Sequence, residues 1–295
     1  DIQVVTEYLA ANGVATPRLA PAIDGRAIVL DDDGIVWRQT TYIPGVTYDT
    51  LTNDKQSEEA GALLGRFHRV VNDIDHDFSM ARLGVHDTAK HLKNLLTALL
   101  EQTDHTRFAD IEPLTHEVLE LTGDISKTDG HPDRVVHGDP KISNVIFDPD
   151  TDGAICLIDF DTISRMPVVL ELGDAFRSWC NPHSEDADRA EFSLPLFEAA
   201  IAGYARETRD FLTELEWHGV PGAIYTITVE LAARFCADAL NENYFAWDDS
   251  RFASASEHNE ARTRNQLALA RSIVDQRSEV ETLVERAFRA VGPGP

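Results

Sequence analysis

His137-Gly138-Asp139-Pro140-Lys141-Ile142-Ser143-Asn144, followed after one hydrophobic strand by Ile158-Asp159-Phe160-Asp161, is the stretch on which the fold turns. Arg134-Val135-Val136 leads in as a short, mostly apolar strand. The loop from Gly138 to Ser143 carries the polar groups, and Val145-Ile146-Phe147 reads as a second strand. Asp148-Pro149-Asp150-Thr151-Asp152-Gly153 reads as a turn, and Ala154 to Ile158 as a buried strand. Asp159 falls at the C-terminal end of that strand, where a side chain points into a cleft. Asp139, Asn144 and Asp159 are therefore expected to converge across a hairpin.

Each of the three suits one part of a phosphoryl transfer, which asks for orientation, a metal and neutralised charge. Asp139 is placed to accept a hydroxyl proton. Asn144 and Asp159 are hard oxygen donors, of which Mg²⁺ takes one or two besides the phosphate oxygens of ATP. Lys141, two residues past Asp139, can offset charge on the transferring group; a solvated loop lysine is the competing reading. His137 reads as a brace for the loop. The spacing as a whole predicts a phosphotransferase acting on a small-molecule hydroxyl.

On these residues the chain resembles the aminoglycoside phosphotransferase and choline kinase group, which implies an α+β, protein-kinase-like fold. Gly138 stands where protein kinases place an arginine, which favours the small-molecule branch. Further segments look like the N-acetylhexosamine 1-kinases: Trp37-Arg38 with Tyr42-Ile43-Pro44-Gly45, Leu64 to His68, Val85-His86-Asp87-Thr88, and Cys156 to Thr162 with Phe160 in place of Leu. Gly173 to Arg177, Glu230 to Asp238, Tyr244-Phe245 and His258 to Gln266 add to that likeness. The resemblance implies an anomeric sugar hydroxyl as acceptor, and hinge backbone at Thr41, Tyr42 and Ile43 against adenine. It also implies that Asp174 braces the catalytic loop. Asp161 is a further metal or substrate candidate. Arg177 reads either as a bidentate substrate or phosphate ligand or as an ion pair, and Arg234, Asp238 and Tyr244 as either acceptor wall or structure.

The N-terminal part departs from the pattern. A kinase carries a glycine-rich strand-turn-strand and a lysine on the third strand. Here Gly13, Gly25 and Gly34 are scattered, and the first lysine is Lys55. Ile2 to Ala11 reads as an amphipathic helix, and Arg26 to Leu30 and Ile35 to Thr40 flank Asp31-Asp32-Asp33-Gly34 as a hairpin. The expected organisation is an incomplete small β lobe and hinge over residues 1–44 and a large, mainly helical lobe over residues 45–295. Strands preceding Asp1 are the favoured explanation, because an uncovered sheet edge is usually avoided and the three central ligands are intact. A pseudokinase that binds without chemistry is the rival. A metal-dependent hydrolase using His137 and Asp139 ranks last, because His131 is the only further histidine nearby.

The net charge of −25, from 51 acidic and 26 basic residues, argues against a nucleic-acid partner. Only five residues are lysine, and such acidic, lysine-poor surfaces suit high salt. No apolar run approaches a membrane span. Cys156, Cys180 and Cys236 read as reduced thiols of a cytoplasmic protein. Helices are expected over Glu58 to Val71 with Ser57 as N-cap, Thr88 to Gln102, and Glu112 to Leu121 with Pro113 in its first turn. Others are expected over Leu194 to Arg206, Pro221 to Leu240, Glu257 to Val274 and Ser278 to Val291, before a breaker-rich tail, Gly292-Pro293-Gly294-Pro295.

Overall fold

Apolar stripes at helical spacing decide most of the architecture, which a computed structural model describes over residues 1–79 and 86–289. The N-terminal part holds α1 (Ile2–Ala11) and four two-residue strands, β1 (Leu19–Ala20), β2 (Val29–Leu30), β3 (Val36–Trp37) and β4 (Gln39–Thr40). β1 pairs antiparallel with β4, and β2 with β3. The Asp31 carboxylate fixes the β2–β3 turn by accepting from the Asp33 and Ile35 amides and from Trp37 Nε1. The expected hairpin is present, but it forms a ladder separate from β1–β4. Its apolar side chains Ile28, Leu30, Ile35, Val36 and Trp37 are exposed.

The remaining elements, in chain order, are α2 (Asp54–Val71), α3 (Thr88–Glu101), α4 (Phe108–Leu121), β5 (Asp133–Val136), β6 (Val145–Phe147), β7 (Ala154–Leu157), β8 (Ser164–Pro167), α5 (Val168–Trp179), α6 (Leu194–Thr208), α7 (Glu214–His218), α8 (Val220–Asn241), α9 (Ala255–Asp275) and α10 (Arg277–Arg289). α8 is buried along nearly its whole length, and α3, α4, α5 and α9 pack around it. α2 and α6 form the most extensive helix pair, with α1 laying Val5 and Leu9 against the same core.

Two helix starts differ from expectation. α2 opens at Asp54 because Asn53, in an extended conformation, accepts the Gln56 amide. Ser57 is then inside the first turn, and its hydroxyl donates to the Leu196 carbonyl. α4 opens at Phe108, so Pro113 lies beyond the first turn; burial of Ile111, Leu114 and Val118 holds the helix across it. Val85, the Val291 end of the last expected helix and the tail from Gly292 fall outside the described residues.

Around the central motif β5 pairs with β8 and β6 with β7, both antiparallel. β8 has no apolar alternation in its sequence; pairing with β5 makes it a strand. The registers place Val136 opposite Ser164 and Val145 opposite Leu157. The loop from β5 to β6 and the segment from β7 to β8 therefore leave neighbouring ladders together and lie side by side. The whole is an α+β arrangement of sparse strands and a large helical body.

Candidate active site

The two adjoining segments bring the predicted residues together. Asn144 ends a short 3-10 turn, and its carbonyl accepts the Ile158 amide at 2.9 Å, which seats Asp159 beside it. Asn144 Nδ2 donates to the Asp139 carbonyl at 2.9 Å and reaches the Asp139 carboxylate at 3.3 Å. These bonds use its Nδ2 and not its Oδ1. Lys141 Nζ bonds Asp139 Oδ2 at 2.9 Å, so the loop lysine is engaged with the central carboxylate. Burial pushes the Lys141 ammonium down, but the bond to Asp139 and the fields of nearby carboxylates outweigh it and hold its pKa above the usual value. Asp159 adopts the left-handed conformation, with φ 67° and ψ 60°, a costly geometry for a non-glycine residue that persists where its surroundings over-determine it.

Buried groups behind the loop fix its shape. Gly138 has φ +86°, and a Cβ there would sit 2.3 Å from the Thr162 carbonyl oxygen. The Gly138 amide donates to Glu171 Oε2 at 2.8 Å. Glu171 Oε1 takes His68 Nε2 at 2.9 Å, and His68 Nδ1 lies 2.8 Å from the Tyr204 hydroxyl. All three side chains are buried. Burial pushes the Glu171 carboxyl up, yet His68, His137 and the Gly138 amide together hold it below the ordinary range. His137 Nε2 donates to the Ile158 carbonyl at 2.9 Å, its ring edge-on to Phe67 and tilted against Phe160. Burial lowers its pKa beyond what the surrounding carboxylates restore. With Nε2 on a carbonyl and Nδ1 near the Asp139 amide, His137 braces the loop and offers no free nitrogen to a metal. Trp179 Nε1 donates to the Pro140 carbonyl from the end of α5.

The resemblance assigned the brace to Asp174; the structure gives that part to Glu171. One helical turn separates them, and only Glu171 faces Gly138. Asp174 instead accepts from Arg177 at 2.7 Å. Burial pushes the Asp174 carboxyl up, but Arg177, His86 and Arg234 hold it low. A glutamate inside Leu170-Glu171-Leu172-Gly173, an otherwise apolar run, is a signal that could have pointed to it, but the sequence-based expectation did not use it. His68 and Tyr204 carried no such signal.

The outer candidates are engaged with the protein itself. Arg38 forms a two-pronged ion pair with Asp161, joining the N-terminal part to the segment that follows β7. Arg177 is buried and holds Asp174 and Glu185. Arg234 lies over the Tyr244 and Phe245 rings. At the hinge the Thr41 amide donates to the Arg18 carbonyl at 2.9 Å, which removes one of the expected adenine donors. Tyr42 follows, 83% exposed.

Two cavities flank the loop. A larger one of about 840 Å³ meets it at Gly138 and Thr162 and extends to His86, Ser126 and Thr226. A smaller one of about 390 Å³ meets it at Lys141 and Ser143 and is walled by Arg177 and Arg262. Among the described residues no three His, Cys, Asp or Glu side chains cluster as a metal site. The donor set is a mixed amide and carboxylate one, which fits a hard cation that takes its remaining oxygens from phosphates and water.

A family profile for the phosphotransferase enzyme family matches residues 4–217. The chain belongs to that family. Its fold is protein-kinase-like, and as a member of the family it is a small-molecule phosphotransferase. Solved structures agree on the fold. An aminoglycoside phosphotransferase from Alicyclobacillus acidocaldarius aligns with a TM-score of 0.60 at 14% identity, over 94% of this chain and 83% of that one. A microcompartment-associated aminopropanol kinase aligns at 0.57 and 18% identity, over 94% and 82%. An amicoumacin kinase, solved in complex with AMP-PNP, Ca²⁺ and Ami, aligns at 0.55 and 15% identity, over 94% and 75%.

Proposed function

We propose that this phosphotransferase moves the γ-phosphoryl of ATP to the anomeric hydroxyl of an N-acetylhexosamine-like sugar. The observation that carries the kinase part is the Asp139 carboxylate, shared between Asn144 and Lys141, beside Asp159. Asp139 orients the acceptor hydroxyl and takes its proton as the new O–P bond forms. The bond between the β,γ-bridging oxygen and the γ-phosphorus breaks, and ADP leaves. Lys141 neutralises charge beside the transferring group. Asn144 Oδ1 and the Asp159 carboxylate are the atoms to hold Mg²⁺, which would offset the charge of the triphosphate. The nucleotide side is assigned to residues 1–44, with adenine against the backbone of Tyr42 and Ile43, and the acceptor side to the helical lobe from residue 45 on.

The sugar rests on the likeness of Trp37-Arg38, Tyr42 to Gly45 and Cys156 to Thr162 to the N-acetylhexosamine 1-kinases, and on the larger cavity. Its described lining has no Phe, Tyr or Trp ring, whereas quaternary ammonium groups are recognised by aromatic cages.

The test is transfer from γ-labelled ATP to N-acetylglucosamine, N-acetylgalactosamine, choline, ethanolamine and kanamycin. Transfer to an N-acetylated sugar is expected. Chelation of divalent cations should abolish it. Asp139→Asn should lower kcat by about 10²–10⁴-fold with AMP-PNP affinity nearly unchanged. Transfer to choline or kanamycin alone would replace the sugar, and no transfer to any acceptor would favour a binding protein.

A further inference from the structure

The His86-Asp87-Thr88 segment, at the start of α3, is used by none of the chemistry above. His86 Nδ1 lies 3.1 Å from Glu230 Oε1, and the Thr88 hydroxyl donates to Glu230 Oε2 at 2.6 Å. Glu230 is buried on α8, and the His86 side chain is 5% exposed. A carboxylate only accepts, so Nδ1 carries a proton toward it. Among the described residues Nε2, also buried, then has no hydrogen-bond partner. The same residue forms part of the wall of the cavity of about 840 Å³ that reaches Gly138 and Thr162. Buried polar atoms are nearly always paired, and one left unpaired calls for a group the protein does not itself supply. Burial disfavours the charged ring, but Glu230 and Asp174 outweigh burial and Arg234, so the His86 pKa is raised.

We propose that His86 is an acceptor-binding residue: with Glu230 and Thr88 fixing the ring through Nδ1, Nε2 bonds an oxygen of the molecule occupying this cavity. The ligand this fits is one that offers a hydroxyl or carbonyl oxygen to the ring; the same wall also carries Asp87, Asp129 and Asp133. This rests on the phosphotransferase reading. Glu230 and Thr88 act through His86 and are positioning residues.

The wild type, His86→Gln and Thr88→Val are compared with γ-labelled ATP and N-acetylgalactosamine, glucosamine and choline. In His86→Gln the KM for N-acetylgalactosamine should rise about tenfold or more, while the KM for ATP stays within about twofold. Thr88→Val, which loosens Glu230 without removing the ring, should raise the same KM by a smaller factor. In the wild-type AMP-PNP complex the ¹⁵N resonance of His86 Nε2 should shift on adding N-acetylgalactosamine, a readout that needs no variant to fold. Turnover of the sugar with neither a KM change nor a ¹⁵N shift overturns the assignment and leaves the kinase reading intact. Equal rises in both KM values without a ¹⁵N shift make His86 a structural brace. Absence of transfer by the wild type to these three acceptors and to ethanolamine and kanamycin overturns the kinase reading, and this assignment with it.

Discussion

Gly138 is the residue on which the loop geometry depends most directly. Its φ of +86° suits glycine, and a Cβ would meet the backbone oxygen of Thr162, which cannot swing away. Gly138→Ala should cost about 1–2 kcal/mol from the backbone alone, with the overlap added. Thermal unfolding and kcat should fall together, and an unchanged Tm would refute the constraint. The titrating groups behind the loop point to acid sensitivity. His137 has a folded pKa below its ordinary 6.5, so the unfolded chain binds a proton that the folded one refuses. Its contribution to stability is present above pH 6.5 and lost as the pH falls toward the folded value. Glu171, held below its ordinary 4.5, contributes in the same sense lower down: present above 4.5, lost as the pH falls through the folded value. Urea unfolding should show stability declining from pH 6.5 to 5, with a flatter slope in His137→Gln. Parallel slopes would remove His137 from the explanation.

At the scale of elements, the α2–α6 pair carries the body to which the catalytic loop is tied through His68 and Tyr204. Its backbones touch at glycines: a Cβ on Gly61 would lie 2.0 Å from the Ala200 oxygen, and one on Gly203 would lie 2.1 Å from the Glu58 oxygen. Alanine gains about 1 kcal/mol of helix propensity at either site. Overpacking costs about 1–3 kcal/mol in an ordinary core, and here the obstructing atoms are backbone, so overlap wins. Gly203→Ala should lower Tm by several degrees, at about 2–4 °C per kcal/mol. A rise in Tm would mean that the helices separate freely. The β5–β8 and β6–β7 ladders act differently: they bury Val136, Val145, Phe147 and Leu157 in the core, and their registers bring two loops into line.

For the molecule as a whole, a net charge of −25 sets a field that opposes folding and the approach of a triphosphate. Screening shortens from about 10 Å at 0.1 M salt to about 3 Å at 1 M. Exposed ion pairs are weakened by the same salt, but each is worth only about 0–1 kcal/mol. Tm should therefore rise and the KM for ATP fall between 0.1 and 1 M KCl; a falling Tm would show that ion-pair networks dominate. Much was legible in the chain. The H-G-D-x-x-x-x-N spacing and the strand before Asp159 carry local information, because turn chemistry and apolar runs act on neighbours in sequence. Helices such as α3 and α8 were equally plain from periodicity. β8 was not, since its pairing is set by β5 some thirty residues earlier. Neither were the separate small ladders, nor the transfer of the loop brace from Asp174 to Glu171. That last choice depends on which turn of α5 faces Gly138, and so on how α5 packs. Sequence determined which groups are present and their local spacing. Only tertiary packing decided which buried partners they meet, because contacts between distant segments are selected by the fit of whole helices and not by any residue alone.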